Sequence, residues 1–316
     1  MKHRLGRQPQ QHTNGSSLFI ALPRSKRRSL KIRFFQIFHR NRTSCPYLSG
    51  DGAAKLTDYI AFGLKGNEPI NLKKLKDAKS IFVQGHLLSN LLVNHWDSIH
   101  ASSLVTGNSD TNFDSEVLLP PSISFWACQN NAMPKSERVV TLPIGVENLR
   151  LGRSGRRKFH HPSKDFQILN RVLIPPMSNT NPIRASVIEF GLTNPKLFDV
   201  YTNYLDEPKY FKLTSKYRFI FCCEGNGYEN HRIWETLYRN GFPILLNTAW
   251  SESLRLLNLP ILEISKLTDL TPELLMAFNT KYHNFNSANS PALWLPFWKQ
   301  CIDNAKFVDP ISVHRN

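Results

Sequence analysis

The chain has 316 residues and a formal net charge of +16, long enough for two modest cores and strongly basic. No apolar run approaches the ~20 residues needed to cross a bilayer, and SSLFIAL from Ser16 is too short for a span and lacks the flanks of a signal peptide, so a cytoplasmic setting is expected. Five cysteines, at 45, 128, 222, 223 and 301, leave an odd count with no C-x-x-C spacing, which argues against a disulfide scaffold and for free thiols.

Residues 1–50 carry eleven Lys and Arg and no Asp or Glu, which reads as a mobile basic arm. Within it, residues 24–42 interleave Leu30, Ile32, Phe34, Phe35, Ile37 and Phe38 with cations. Such a segment suits peripheral contact with an anionic membrane. A solvated tail and a first strand entering the core are competing readings, and nucleic acid is the least favoured partner.

The body reads as short strands alternating with helices. Ser80–Gln84 is a predicted strand entering a helix over GHLLSNLLVNHWDSIH, with Leu87, Leu88, Leu91, Leu92 and Trp96 at core spacing. Leu104–Thr106 is a strand whose polar loop begins at Gly107. Strands follow at Ser122–Cys128 and Val139–Pro143, separated by a loop bearing Gln129, Asn130 and Asn131. The basic stretch Arg150–Lys164 reads as an exposed linker, with His160 and His161 at its surface and no partners at metal-ligand spacing. Gln167–Ile174 is the next strand. Beyond it, Ser178, Asn179 and Asn181 at a strand end, with Arg184 on the helix that follows, are candidates to line the cleft, and an ordinary surface residue at a helix start is the favoured reading of Arg184.

Arg218–Thr248 states the most chemistry: an apolar strand, a glycine-broken turn, a polar-faced helix and a second strand. Gly225 and Gly227 let the backbone approach a ligand, and the helix aims unpaired N–H groups and the positive end of its dipole there. At about 100° per residue, Ile233, Trp234, Leu237 and Tyr238 face the core while His231, Arg232 and Glu235 share an exposed face. A guanidinium offers forked donors to a diphosphate, and a carboxylate one turn on accepts both hydroxyls of a ribose. An ordinary amphipathic helix with an Arg/Glu surface pair fits the same pattern. Cys222 and Cys223 read as packing groups of the strand. Further on come a strand at Pro260–Ile264, a helix at Thr271–Phe278 and an aromatic-striped helix at Ala292–Ala305. This alternation predicts an α/β fold: two Rossmann-like domains with parallel sheets flanked by helices, facing across a cleft.

Gly225, Asn226, Gly227, His231, Arg232, Trp234, Glu235, Leu237, Gly241, Pro243 and Ile244 together resemble the donor-binding motif of exostosin-like glycosyltransferases. The segment departs from that pattern in carrying Glu224 where Arg is usual and Glu229 near the usual Asp. Ser103–Asp114 and Phe125–Asn148 are similar to two further segments of the family, in the same order, so the likeness runs from about residue 80 to residue 241. It implies a GT-B-like, inverting, metal-independent glycosyltransferase in polysaccharide or glycan biosynthesis. A sugar would pass from a nucleotide diphosphate to a saccharide, lipid-linked or other hydroxyl acceptor. A UDP-sugar is favoured. Similarity of the Glu224–Asn226 run to fucosyltransferase-like families keeps a GDP-sugar open.

The resemblance assigns Glu224, Gly225, Asn226, Gly227, His231, Arg232 and Glu235 to the donor, with no cofactor beyond the nucleotide sugar. Arg232 and the helix dipole would neutralise the departing diphosphate. Candidates for the base that deprotonates the acceptor are Asp110, His86 and then Asp114, all at predicted strand ends or turns of the first half. The implied division is a basic arm over 1–50, an acceptor-side domain over 51–165, a nucleotide-sugar domain over 166–285, and a bracing helix and tail over 286–316. The competing class is a non-catalytic nucleotide- or nucleic-acid-binding protein working through the arm.

Overall fold

A computed structural model describes residues 44–152, 154–163 and 166–312. The expected α/β class is found as two five-stranded parallel sheets flanked by helices. In the first sheet β1 (Tyr59–Ile60), β2 (Ser80–Gln84), β3 (Ser103–Gly107), β4 (Phe125–Cys128) and β5 (Val139–Thr141) lie side by side in chain order. Every residue of β2, β3 and β4 is buried, as a parallel sheet covered on both faces requires. Strand alternation then sends different residues to each face. Ile81, Val83, Leu104 and Trp126 pack with Leu75 of α2 (Leu72–Asp77) and with Leu88 and Leu91 of α3 (Leu88–His95). Phe82, Val105, Phe125 and Ala127 face the opposite way, toward Ala53 and Ala54 of α1 (Gly50–Ala54). The helix expected after β2 is interrupted, with 3₁₀ turns at Gly85–Leu87 and Trp96–Ser98 on either side of α3.

The second sheet contains β6 (Ile168–Ile174), β7 (Phe198–Val200), β8 (Tyr217–Phe221), β9 (Phe242–Leu246) and β10 (Leu262–Ile264), in the order β10-β9-β8-β6-β7. Its helices are α4 (Ile183–Thr193), α5 (Glu207–Thr214), α6 (His231–Tyr238), α7 (Ala249–Ser253) and α8 (Pro272–Lys281). The chain leaves β6 toward one edge and then continues from β8 toward the other. Such a reversal opens a crevice at the carboxyl ends of the two central strands, where open α/β sheets take ligands. Helix α6 starts at Asn230, whose side chain accepts the Arg232 N–H at 3.0 Å, a cap that contributes about 1 kcal/mol. Ile233, Trp234, Leu237 and Tyr238 are all buried, in agreement with the periodicity. Helix α5 occupies a stretch where the sequence reading places no element, although Asp206 caps it by accepting Lys209 N–H at 3.0 Å and Pro208 sits in its first turn.

The halves share a core. Leu173, Ile220, Trp234 and Tyr238 belong to one cluster with Phe82, Val105 and Ala127, closed by Trp298 and Ile302 of α9 (Leu295–Asp303). Helix α9 lies against the first sheet, where Ser103 Oγ donates to the Ile302 carbonyl at 2.6 Å.

Residues 44–50, read from the sequence as the end of the arm, belong to the body instead. Tyr47 and Leu48 are buried, Leu48 N–H donates to the Tyr238 hydroxyl at 3.0 Å, and Tyr47 bridges to Trp294. The rest of the arm, and with it the membrane segment at 24–42, lies outside the described residues. The 150–164 stretch is also less exposed than expected. His160 is fully buried against Phe211, and burial with the nearby Arg239 charge drives its pKa down to about 3, leaving a neutral imidazole. Among the described residues no helix is long and apolar enough to cross a membrane.

Candidate functional site

At the reversal of the second sheet lies a pocket of about 330 Å³. Ser178 after β6, Arg184 on α4, Tyr210 on α5 and the Asn230–Arg232 turn with Glu235 on α6 line one side; Glu147 and Ser154, from the stretch after β5, line the other. Arg184 Nε donates to the Glu224 carbonyl at 2.7 Å, and its Nη1 donates to the Ser178 carbonyl at 2.9 Å and hydroxyl at 3.1 Å. Arg232 Nε donates to the Tyr210 hydroxyl at 3.0 Å and its Nη2 to the Pro176 carbonyl at 2.9 Å. Neutral acceptors thus fix both guanidiniums, while Arg184 Nη2 and Arg232 Nη1 keep their donors. Neither arginine is ion-paired with a carboxylate among the described residues. Burial, and then the charge of Arg232, hold Arg184 below the usual guanidinium range. Two like charges facing one space make a site that an anion neutralises.

Glu235 completes the polar lining. The sequence places His231, Arg232 and Glu235 together on an exposed face, and they do share one face. Only Glu235 is covered, at 5% exposure, with the Tyr210 hydroxyl as its hydrogen-bond partner at 3.4 Å among the described residues, while His231 and Arg232 are half-buried. The cover comes from α5 and from residues near 147–154, which lie far away in sequence. His231 Nδ1 sits 2.8 Å from the Gly145 carbonyl, so this side chain ties α6 to the first half. Of the two readings of Arg184, the surface one is not met: the side chain is buried under the Glu224 turn and lines the pocket.

The glycine-broken turn is only partly open to solvent, with Asn226 exposed and Gly227 buried. It is docked on the first half. Asn226 Nδ2 donates to Asp110 at 3.2 Å, Tyr228 N–H to Asn112 at 3.1 Å, the Tyr228 hydroxyl to Asp114 at 2.6 Å and Glu229 N–H to Asn130 at 2.9 Å. A Cβ on Gly227 would lie 2.9 Å from Asn130 Nδ2, and one on Gly225 would lie 3.1 Å from Arg184 Nη2. The space these glycines free is therefore taken by Asn130 and Arg184, in place of the direct ligand approach expected from sequence. Glu224 lines a second, apolar pocket of about 270 Å³ beside Cys222, Cys223 and Trp250, and burial raises its carboxyl pKa.

Asp110 and His86 come together through the intervening Ser109, whose Oγ is 3.3 Å from His86 Nδ1. Both are exposed and neither lines the pocket. The first-half carboxylate that does line it is Glu147, held by the Ser154 hydroxyl. Sequence reasoning missed Glu147 and Tyr210. The cap at Asp206 was a usable signal for the helix that carries Tyr210, and Glu147 lies near the end of the family-like Phe125–Asn148 segment but was not singled out from it. A larger depression of about 500 Å³ beside Leu257, Tyr282 and Pro310 offers Lys281 and His283 but no acid and no paired guanidiniums. Among the described residues no cluster of His, Cys, Asp and Glu has the arrangement of a metal site.

Comparison with known families finds no family model that matches this chain, and no curated protein matches its sequence.

Proposed function

We propose that the protein is a two-domain glycosyltransferase of the GT-B type, moving a sugar from a nucleotide diphosphate to a hydroxyl acceptor in glycan assembly, with UDP-sugars ahead of GDP-sugars as donors. One observation carries the reading. Two guanidiniums without carboxylate partners among the described residues, Arg184 and Arg232, share a pocket with Glu235 at the point where the second sheet reverses. A nucleoside diphosphate has the matching pair of groups, an anion for the arginines and a cis-diol for the carboxylate. In this reading the free donors of Arg184 and Arg232, with the N-terminus of α6, stabilise the charge that grows on the departing diphosphate. The acceptor approaches from the first half, where Asp110 and His86 are the candidate bases. The resemblance of residues 225–244 to exostosin-like transferases points the same way. We place the chain on the cytoplasmic side, with its basic arm toward an anionic membrane surface.

Calorimetric titration with UDP and GDP, followed by a nucleotide-sugar panel scored for released nucleotide diphosphate, tests the proposal. One nucleotide should bind, and Arg232→Ala should weaken it by about tenfold or more, the loss of a charge-assisted hydrogen bond. Binding without release from any sugar donor favours the non-catalytic alternative. Nucleotide binding that vanishes when residues 1–43 are removed assigns the affinity to the arm and rejects the pocket.

A further inference from the structure

The paired-arginine pocket carries an aromatic side chain that neither a diphosphate nor a diol calls for. Tyr204 lines it together with Leu205 and Pro176, yet Tyr204 is 63% exposed. The two residues lie between β7 and α5, at the carboxyl edge of the sheet and beside the chain that leaves β6. Both ends of this connection are fixed: Tyr201 N–H donates to the Ile174 carbonyl at 2.9 Å, and Asp206 caps α5. Elsewhere in the lining the uncharged polar groups already bond within the chain. Asn230 accepts Arg232 N–H and donates to the Cys223 carbonyl, the Ser178 hydroxyl accepts from Arg184, the Ser154 hydroxyl donates to Glu147, and the Tyr210 hydroxyl joins Arg232 to Glu235. At about 330 Å³ the pocket is also near the lower end of the roughly 300–1,000 Å³ range of ligand sites. A nucleotide whose phosphates and ribose fill it leaves its base at the mouth, where the Tyr204 ring stands.

We infer that Tyr204 is the platform on which the base of the nucleotide stacks, at the open end of a site whose inner groups, Glu235 and the two arginines, take the ribose and the diphosphate. This inference rests on the nucleotide reading of the pocket. The order of groups along the ligand agrees with the order along the chain: Tyr204 and Leu205 lead into α5, and the Tyr210 hydroxyl of that helix touches Glu235 and then Arg232. Covering an exposed aromatic ring with a second flat ring removes apolar surface from water and pairs two π-systems. Every base has such a face, so the platform strengthens a nucleotide over the same phosphates without a base, whichever base is attached.

Calorimetry of the full chain with UDP, GDP and ribose 5-diphosphate, which keeps the anion and the diol but has no base, decides the matter. The wild type should bind whichever nucleotide it accepts about tenfold or more above ribose 5-diphosphate. Tyr204→Ala should bring that ratio down to about twofold by weakening the nucleotide alone, while Tyr204→Phe and Tyr204→Trp, which keep a ring, should hold it. Arg232→Ala, in contrast, should weaken both ligands alike. Because Tyr204 is exposed, its truncation leaves the core intact. Nucleotide affinity in Tyr204→Ala equal to wild type overturns the inference, and so does an equal loss for the two ligands, which would mark a merely structural residue. A wild type that binds nucleotide and ribose 5-diphosphate equally sinks the inference alone and leaves the diphosphate reading standing. A wild type that binds none of the three removes both.

Discussion

At Glu229 burial and ionisation are most directly opposed. Its Oε1 accepts the Ile144 N–H and the Trp234 indole N–H, each at 2.6 Å, while its buried Oε2 has no partner among the described residues. Desolvation raises the carboxyl pKa to about 8, against the two hydrogen bonds, which act to lower it. The folded state therefore holds a proton that the unfolded chain releases above its ordinary carboxylate range. The sign follows: this stability is fully present below about pH 4.5 and is lost as pH rises through about 8. Chemical denaturation across that window should find the wild type losing on the order of 4 kcal/mol from this group, and Glu229→Gln, which keeps the Oε1 acceptor, should flatten the slope. An equally steep profile in the variant would show that another group titrates. The sequence marks Glu229 only as a departure from a family pattern. Helical periodicity reports which of His231, Arg232 and Glu235 share a face, but the residues that cover Glu235 on it, Tyr210 and Glu147, are set by distant chain.

At the scale of elements, the turn between β8 and α6 works as a joint. Its glycine at 227 matters for close approach, since Asn130 fills the space a side chain would need. Asn130 is itself committed, accepting Glu229 N–H at 2.9 Å and donating to the Ser109 carbonyl at 3.1 Å. Gly227→Ala should destabilise the protein by about 1–3 kcal/mol, measured by thermal unfolding. In an Asn130→Ala background the same change should cost clearly less, because the clash has lost its partner. The elements legible in the sequence were those with a strong period or a clear apolar run: β2, β8 and α6 fall where the residues place them. The strands β1 and β7 are two and three residues long, too short for any period to show. Helix α5 buries only Phe211 and Thr214, so its face is faint, and the residue it brings to the pocket went unseen with it.

Over the whole molecule, the two sheets differ in what they offer a ligand. The first runs in chain order without reversal, and the second reverses between β6 and β8; that asymmetry puts the pocket of paired arginines in the second half. The α/β class followed from the alternation of elements and a C-terminal helix against the first half was expected from the resemblance, whereas the share of residues near 44–49 in the common core was not, because they were read as part of the arm. Removing residues 286–316 uncovers Phe82 and Val105 at the first sheet's inner face. The shortened chain should lose the sharp, cooperative thermal transition of the intact protein, followed by near-ultraviolet circular dichroism. A transition of unchanged sharpness would mean that the body stands without α9.

The return of α9 to the first sheet also sets a timetable at the ribosome. Translation delivers β4 well before α9, and at ~5–20 residues per second the interval between them is roughly 10–35 s. Throughout it the nascent first half displays the greasy surface that Trp298 and Ile302 eventually cover. Chaperone dependence during synthesis, and aggregation of prematurely terminated products, are the expected cellular cost of fastening β2, β3 and β4 with a helix made so much later.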